Sequence, residues 1–250
     1  MWAAVQRSLL FIFAHPDDES FAAAGTAARY ADEGARLTLV TATRGDKGKC
    51  GDPPVCEPGQ LAGVREAELR EAARVIGIAD VRVLDYKDRE LAAAPAEEVR
   101  ATLVRVIREA RPQVVVTFDP HGVNLHPDHV AISRFAADAV AAAADPRWHS
   151  EAGPAHEVGR VLWTTPRPFW ELARLDHPAA EPGVDFLLDT GPWWRRKAAA
   201  LRAHRSQHIE IDRLFFDVPD SERVLSVEAF RDARRRPGPG APLEDLFAGL

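Results

Sequence analysis

The 250-residue sequence is short of cysteine, methionine and tyrosine, with two, one and two of them. Two cysteines cannot staple a chain this long, so its stability has to come from a packed core. Cys50 and Cys56 form no Cys-x-x-Cys pair and sit in a stretch rich in Gly, Pro and Asp. They read as ordinary loop cysteines, with a loop-closing disulfide or a second metal site as alternatives. No apolar run approaches the ~18 residues that span a bilayer, so no membrane insertion is expected. The early run Leu9-Leu10-Phe11-Ile12-Phe13-Ala14 is too short for a signal core and leads directly into His-Pro-Asp-Asp-Glu. It reads as a buried strand, and the cytoplasm is the expected compartment. Basic excess is also missing. A net charge of −6 argues against a nucleic-acid footprint. No G-x-G-x-x-G follows the first strand, and the acids that fill the turn there would repel phosphate, which counts against a nucleotide-binding module. No internal repeat and no clear second domain is visible.

What is present is an alternation of short apolar runs and helical periodicity. Strands are expected at 9–14, 37–42, 81–84, 114–118 and 161–165. Helices are expected at 18–33 with a stop at Gly34, from Leu61 to Ile76 with a stop at Gly77, from Val99 to Ala110 before Pro112, from Ile132 to Val140, and over 193–205. Residues 44–60 read as a long loop, a length that is uncommon unless it serves function. Pro237-Gly238-Pro239-Gly240 marks a loose turn or tail, and an irregular tail is expected from about residue 232. Strands without period-2 alternation, separated by helices, indicate a Rossmann-like α/β domain: one mostly parallel sheet covered on both faces. In such sheets ligands bind beyond the carboxyl ends of the strands.

Two acid- and imidazole-rich clusters follow expected strands. One is His15-Pro16-Asp17-Asp18-Glu19 and the other His126-Pro127-Asp128-His129. Each places Pro where a helix can begin. In a helical turn residues three apart share a side, which brings His15 to Asp18 and His126 to His129. Two imidazoles and one carboxylate with an open fourth position form a catalytic zinc pattern, and His15, Asp18 and His129 are the expected ligands. Fe2+ is compatible with the same set. Asp17 is left beside the metal as the base for an attacking water. His126 is left as an acid or as a partner for a developing oxyanion. Asp128 is expected to hydrogen-bond His126 and keep it charged. His121 reads as a loop histidine. The same ligand set also occurs in non-haem iron oxygenases, mostly on all-β scaffolds, and a non-catalytic metal-binding protein is the remaining alternative.

The two motifs, in this order and setting, resemble the PIG-L/LmbE-like deacetylases, whose motifs Ala-His-Pro-Asp-Asp-Glu and His-Pro-Asp-His are matched by Ala14–Glu19 and His126–His129. Weaker matches are Thr43-Arg44-Gly45-Asp46, Arg65 with Glu66 and Glu68, Leu84-Asp85-Tyr86-Lys87-Asp88, and His204-Arg205-Ser206-Gln207, so the resemblance spans about residues 9 to 208. It implies one zinc per chain and hydrolysis of an N-acetyl group on an N-acetylglucosamine-type conjugate, in the roles already argued. It also suggests Arg65, and with it Arg44, as substrate contacts. The implied partner is a small amino-sugar substrate. The acyl acceptor and any homo-oligomer stay open. Lys47 to Pro58 is not a family feature.

Overall fold

A computed structural model describes residues 6–234 and 241–250. The apolar runs become a seven-stranded sheet in the order β3-β2-β1-β4-β5-β7-β6. The strands are β1 (Ser8–Phe13), β2 (Arg36–Thr43), β3 (Asp80–Tyr86), β4 (Val114–Thr117), β5 (Arg160–Thr164), β6 (Phe186–Asp189) and β7 (Val227–Asp232). Strands β1 to β5 pair in parallel, while β7 runs antiparallel to both neighbours. All six residues of β1 are buried, as a strand covered on both faces requires.

The five long helices are α1 (Asp18–Asp32), α2 (Leu61–Ile76), α3 (Ala96–Ala110), α4 (Pro127–Ala144) and α5 (Trp194–Ala203). Helices α1, α2 and α5 pack together, and α3 packs against α4, giving the two covering layers. Gly77 ends α2 at φ 101°, a left-handed conformation that glycine adopts without a Cβ penalty. No described helix is long and apolar enough to cross a membrane.

The chain leaves β1 toward β2 on one side, and β4 lies on the other. The carboxyl ends of β1 and β4 therefore flank the point where strand order reverses, the usual crevice for a ligand in this class of sheet.

Strands β6 and β7 were not expected. Glu228, the second residue of β7, is fully buried and breaks the apolar pattern. It accepts the amides of Gly25 at 2.9 Å and Thr26 at 2.7 Å, and Lys197 of α5 at 2.6 Å. Residues 241–250 carry no long element, yet Leu246 is fully buried, and Tyr30 donates to Asp245 at 2.8 Å. The expected turn at 237–240 lies outside the described residues.

Candidate metal and catalytic site

The two clusters meet at the strand-order reversal. His15 follows β1 after Ala14, and Asp18 opens α1. The His15–Asp18 proximity does not come from a helical turn, contrary to expectation. Asp17 takes φ 115°, so α1 starts only at Asp18. What holds the pair is the Asp18 carboxylate, whose Oδ2 accepts the amides of Ala14 at 3.1 Å and His15 at 2.8 Å. The second cluster does behave as a helix start. His126 is the extended N-cap of α4, Pro127 is its first residue, and His129 lies within its first turn.

His15, Asp18 and His129 are all buried and line one cavity of about 570 Å3 with Asp17, Arg65 and His126. His15 Nδ1 lies 3.2 Å from His129 Nε2. The Asp18 carboxylate lies 3.4 Å from His129 Nε2 and 3.7 Å from His15 Nδ1. His126 also brings a ring nitrogen within 4.8 Å of those of His15 and His129.

Hydrogen-bond partners assign the tautomers. His129 Nδ1 faces the Gly122 carbonyl at 3.1 Å, so it must donate, and Nε2 is left with a bare lone pair. His15 Nε2 faces Asp128 at 3.1 Å and Asp88 at 3.2 Å, so it too donates, and Nδ1 is left bare. Two lone pairs thus oppose each other at 3.2 Å beside a carboxylate. Neutral rings cannot hydrogen-bond in that arrangement, so it calls for a proton on one of the two nitrogens or for a bound cation. The donor set fits a divalent metal with an open position. Without one, burial pulls the His15 pKa down, but Asp128, Asp88 and Asp18 outweigh burial and push it up to about 10. Burial opposes ionisation of Asp18, yet His129 and His15 hold its carboxyl below the usual range.

Asp17 stands beside this set. Its carboxylate is 3.0 Å from the Arg65 guanidinium, and its side chain is 17% exposed. Burial lifts its carboxyl to about 6, against the pull of Arg65. Buried Arg65 also donates to the Gly45 carbonyl at 2.9 Å and to that of Pro16. Arg65 therefore grips the Asp17 turn and also reaches the cavity.

Three expectations change. Asp128 does not orient His126. Its carboxylate accepts from Arg89 N at 2.6 Å and Leu91 N at 3.1 Å and points at His15. The reason is burial: Asp128 is wholly enclosed behind His15, while His126 reaches the cavity. His126 instead accepts from the Asp128 amide on Nδ1 at 3.2 Å. Burial, with His15 and His129 nearby, pushes the His126 pKa down, so this ring is neutral rather than charged. Arg44 lies outside the cavity lining, its guanidinium held by Asp85 at 2.8 Å and by Glu66. His121 is an exposed loop residue against Asp119.

Asp88 was noted only as the end of a weaker family match and given no role in the site. It lies beyond β3, far in sequence from both motifs, and only the fold brings it to His15. The 44–60 loop contributes Lys47 and Gly48 to the cavity wall, and its two cysteines are free thiols in contact with each other.

Comparison with known proteins agrees with this geometry. The family model described as "PIG-L: GlcNAc-PI de-N-acetylase" matches residues 10–140, more than half of the chain. The 1D-myo-inositol 2-acetamido-2-deoxy-alpha-D-glucopyranoside deacetylase of Geodermatophilus obscurus is 38% identical, with 98% of each chain covered. That alignment runs over 289 positions, so the relative carries insertions that this chain lacks. Among solved structures, the N,N'-diacetylchitobiose deacetylase of Pyrococcus horikoshii matches with a TM-score of 0.71 at 23% identity, over 91% of this chain and 84% of that one. A 4-carboxy-2-hydroxymuconate hydratase from Pseudomonas putida also reaches 0.71, at 18% identity over 94% and 99%, so the fold by itself does not name a reaction. Family match and sequence relatives, taken with both motifs at one cavity, show that the chain belongs to the PIG-L de-N-acetylase family.

Proposed function

We propose that the protein hydrolyses the N-acetyl group of an N-acetylglucosamine conjugate, with Zn2+ held by His15, Asp18 and His129. The observation that carries this reading is the pair of opposed lone pairs beside Asp18, with Asp17 next to them and paired with Arg65. A bound divalent cation would supply Lewis acidity toward water and the amide carbonyl. Asp17 takes the proton of the attacking water and returns it to the leaving amine, so water and amide become acetate and a free amine. Arg65 holds the Asp17 carboxylate in place and reaches toward the sugar hydroxyls. His126, with Nδ1 occupied by the Asp128 amide, presents Nε2–H to the developing oxyanion. It serves as a neutral donor rather than as an acid. Asp128 and Asp88 fix the tautomer of His15.

A cavity of about 570 Å3 is of the size that encloses a small conjugate. The glucosaminyl-inositol compound named for the relative is the first substrate to test, beside chitobiose and other N-acetylglucosamine conjugates. The low cysteine count supports the cytoplasm as the compartment. The test is a screen of these compounds, read as free amine, with metal per chain measured on the same samples. About one zinc per chain, amine from at least one conjugate and loss of both with a chelator are expected. Fully metal-loaded protein that releases no amine from any conjugate refutes the reaction. Turnover unaffected by complete metal removal refutes the metal's part in it. Iron in place of zinc would change the cation and leave the reaction standing.

A further inference from the structure

We propose that Glu19 and His204 are positioning residues for Asp17, forming a buried strut that holds the base in its unusual backbone conformation. The inference rests on the reading of Asp17 as general base. Asp17 sits at φ 115°, a region that a side chain disfavours and that persists only where surrounding contacts impose it. Glu19 supplies such a contact, because its Oε2 accepts the Asp17 amide at 3.1 Å. The other oxygen, Oε1, is 2.8 Å from His204 Nε2 and accepts from Ser20 Oγ at 2.5 Å. Glu19, Ser20 and His204 are all buried, so the carboxylate has no water to fall back on, and the imidazole fixes its rotamer.

His204 follows α5, and the same segment has a second hold on the base. Ser206 donates its amide and hydroxyl to Glu68 at 2.9 and 2.6 Å. Glu68 is one turn along α2 from Arg65, which grips the Asp17 carboxylate. The 204–206 segment thus backs the Asp17 main chain through Glu19 and its side chain through the helix that carries Arg65. His204 Nδ1 has no hydrogen-bond partner among the described residues. A buried unpaired nitrogen lowers stability, so stability alone does not account for a histidine there. Holding Glu19 does. Neither residue lines the cavity, so they act through Asp17 and not on substrate.

The test is a double-mutant cycle on the metal-loaded enzyme, with kcat, KM and metal content read for each variant. Glu19→Ala should lower kcat about 10–100-fold, as a misplaced group does, with KM and metal content little changed. Glu19→Gln keeps an acceptor for the Asp17 amide and should recover most of that loss. In an Asp17→Asn background, Glu19→Ala should cost nothing further, since the group it positions is already disabled. Equal costs in both backgrounds overturn the proposal, because the residue would then act independently of Asp17. Metal loss in both Glu19 variants also overturns it. Should Glu19→Ala fail to fold, His204→Gln takes its place in the same cycle: a cost that vanishes beside Asp17→Asn supports the strut, and an equal cost in both backgrounds overturns it. If Asp17→Asn keeps wild-type kcat, the base assignment falls and the strut with it. If Asp17→Asn is disabled but Glu19→Ala keeps full kcat, only the strut falls.

Discussion

Asp17 and Asp18 are adjacent and chemically identical, yet their surroundings predict opposite failures when each is changed to asparagine. In Asp18, Oδ2 is committed to two backbone amides, and the carboxylate faces His129 and His15. An asparagine there has one carbonyl oxygen for two tasks. If the oxygen faces the amides, an NH2 group points at the cation. If it faces the cation, the NH2 opposes two N–H donors. Either orientation loses the charge and one good contact, so metal affinity should fall by more than the 10–100-fold typical of a lost partner behind a ligand. Asp17→Asn is different, because the asparagine oxygen can still face Arg65 at the present 3.0 Å and the shape is kept. Metal content should stay near one per chain while kcat falls about 10²–10⁴-fold, the usual cost of a lost general base and equivalent to about 2.7–5.5 kcal/mol. The assay is elemental analysis of desalted protein beside amine release at saturating substrate. Metal-free Asp17→Asn together with loaded Asp18→Asn would falsify the assignment and exchange the two roles. A loaded Asp17→Asn with wild-type turnover would remove the base from the mechanism.

Three further outcomes follow from other parts of the molecule. Gly122 adopts φ 65°, and a Cβ there would come 2.6 Å from the His129 Cβ, so Gly122→Ala should displace the carbonyl that sets the His129 tautomer. Metal affinity should drop about 10–100-fold in chelator competition, and an unchanged value would detach Gly122 from the site. Arg65→Ala should lower kcat as well as raise KM, because Arg65 holds Asp17, while Arg44→Ala should leave both within about twofold. Steady-state kinetics showing the reverse pattern would return Arg44 to the substrate. Lys197→Met strands the fully buried Glu228 without its cation and should cost about 3–5 kcal/mol in denaturant unfolding, so a loss below about 1 kcal/mol would contradict the buried-pair reading.

The site was legible in sequence where its chemistry is condensed into contiguous runs. His15 to Asp18 and His126 to His129 stand out because their neighbours are already acids and imidazoles. Asp88 and His204 stood in weaker family matches without a role, because their meaning depends on contacts across the fold. His204 and Glu19 are 185 positions apart. The expected helical geometry for His15 and Asp18 was the wrong cause of a proximity the structure contains. No side-chain pattern reports the φ of Asp17, and the turn is held by a carboxylate bonding backwards to the strand end. Asp128 was paired with its sequence neighbour His126, whereas burial aims it at His15. The five parallel strands were readable as apolar runs. Strand β7 was not, since charged Glu228, Arg231 and Asp232 interrupt its apolar residues, and β6 offers only three apolar residues before Asp189.

The last third of the chain, of which only the 193–205 helix and strand β5 were read, explains how the readable motif is held in place. Helix α1 begins at Asp18, so displacement of the helix moves Asp17 and the proposed ligand Asp18 together. Along its length it is tied to residues beyond 140. His204 meets Glu19 in the first turn, and Glu228 takes the amides of Gly25 and Thr26 in the middle. Asp245 accepts from Tyr30, and Asp32 at the end receives Trp193 and Arg196. The middle anchors are the costly ones. Burying Glu228 requires Lys197 and two backbone donors, and Lys197 in turn lies 3.6 Å over the ring of Phe169, which lines the cavity. Residues 10–140 thus carry every proposed ligand and the base, while their geometry depends on the last third of the chain. Metal ligands fixed by their own hydrogen bonds at β1 and α4 depend less on α1's far end. The placement of Asp17 against a water and an amide is more exacting, because a proton is transferred only within hydrogen-bond reach. The C-terminal third therefore bears on turnover more than on metal retention, although it contributes none of the proposed ligands.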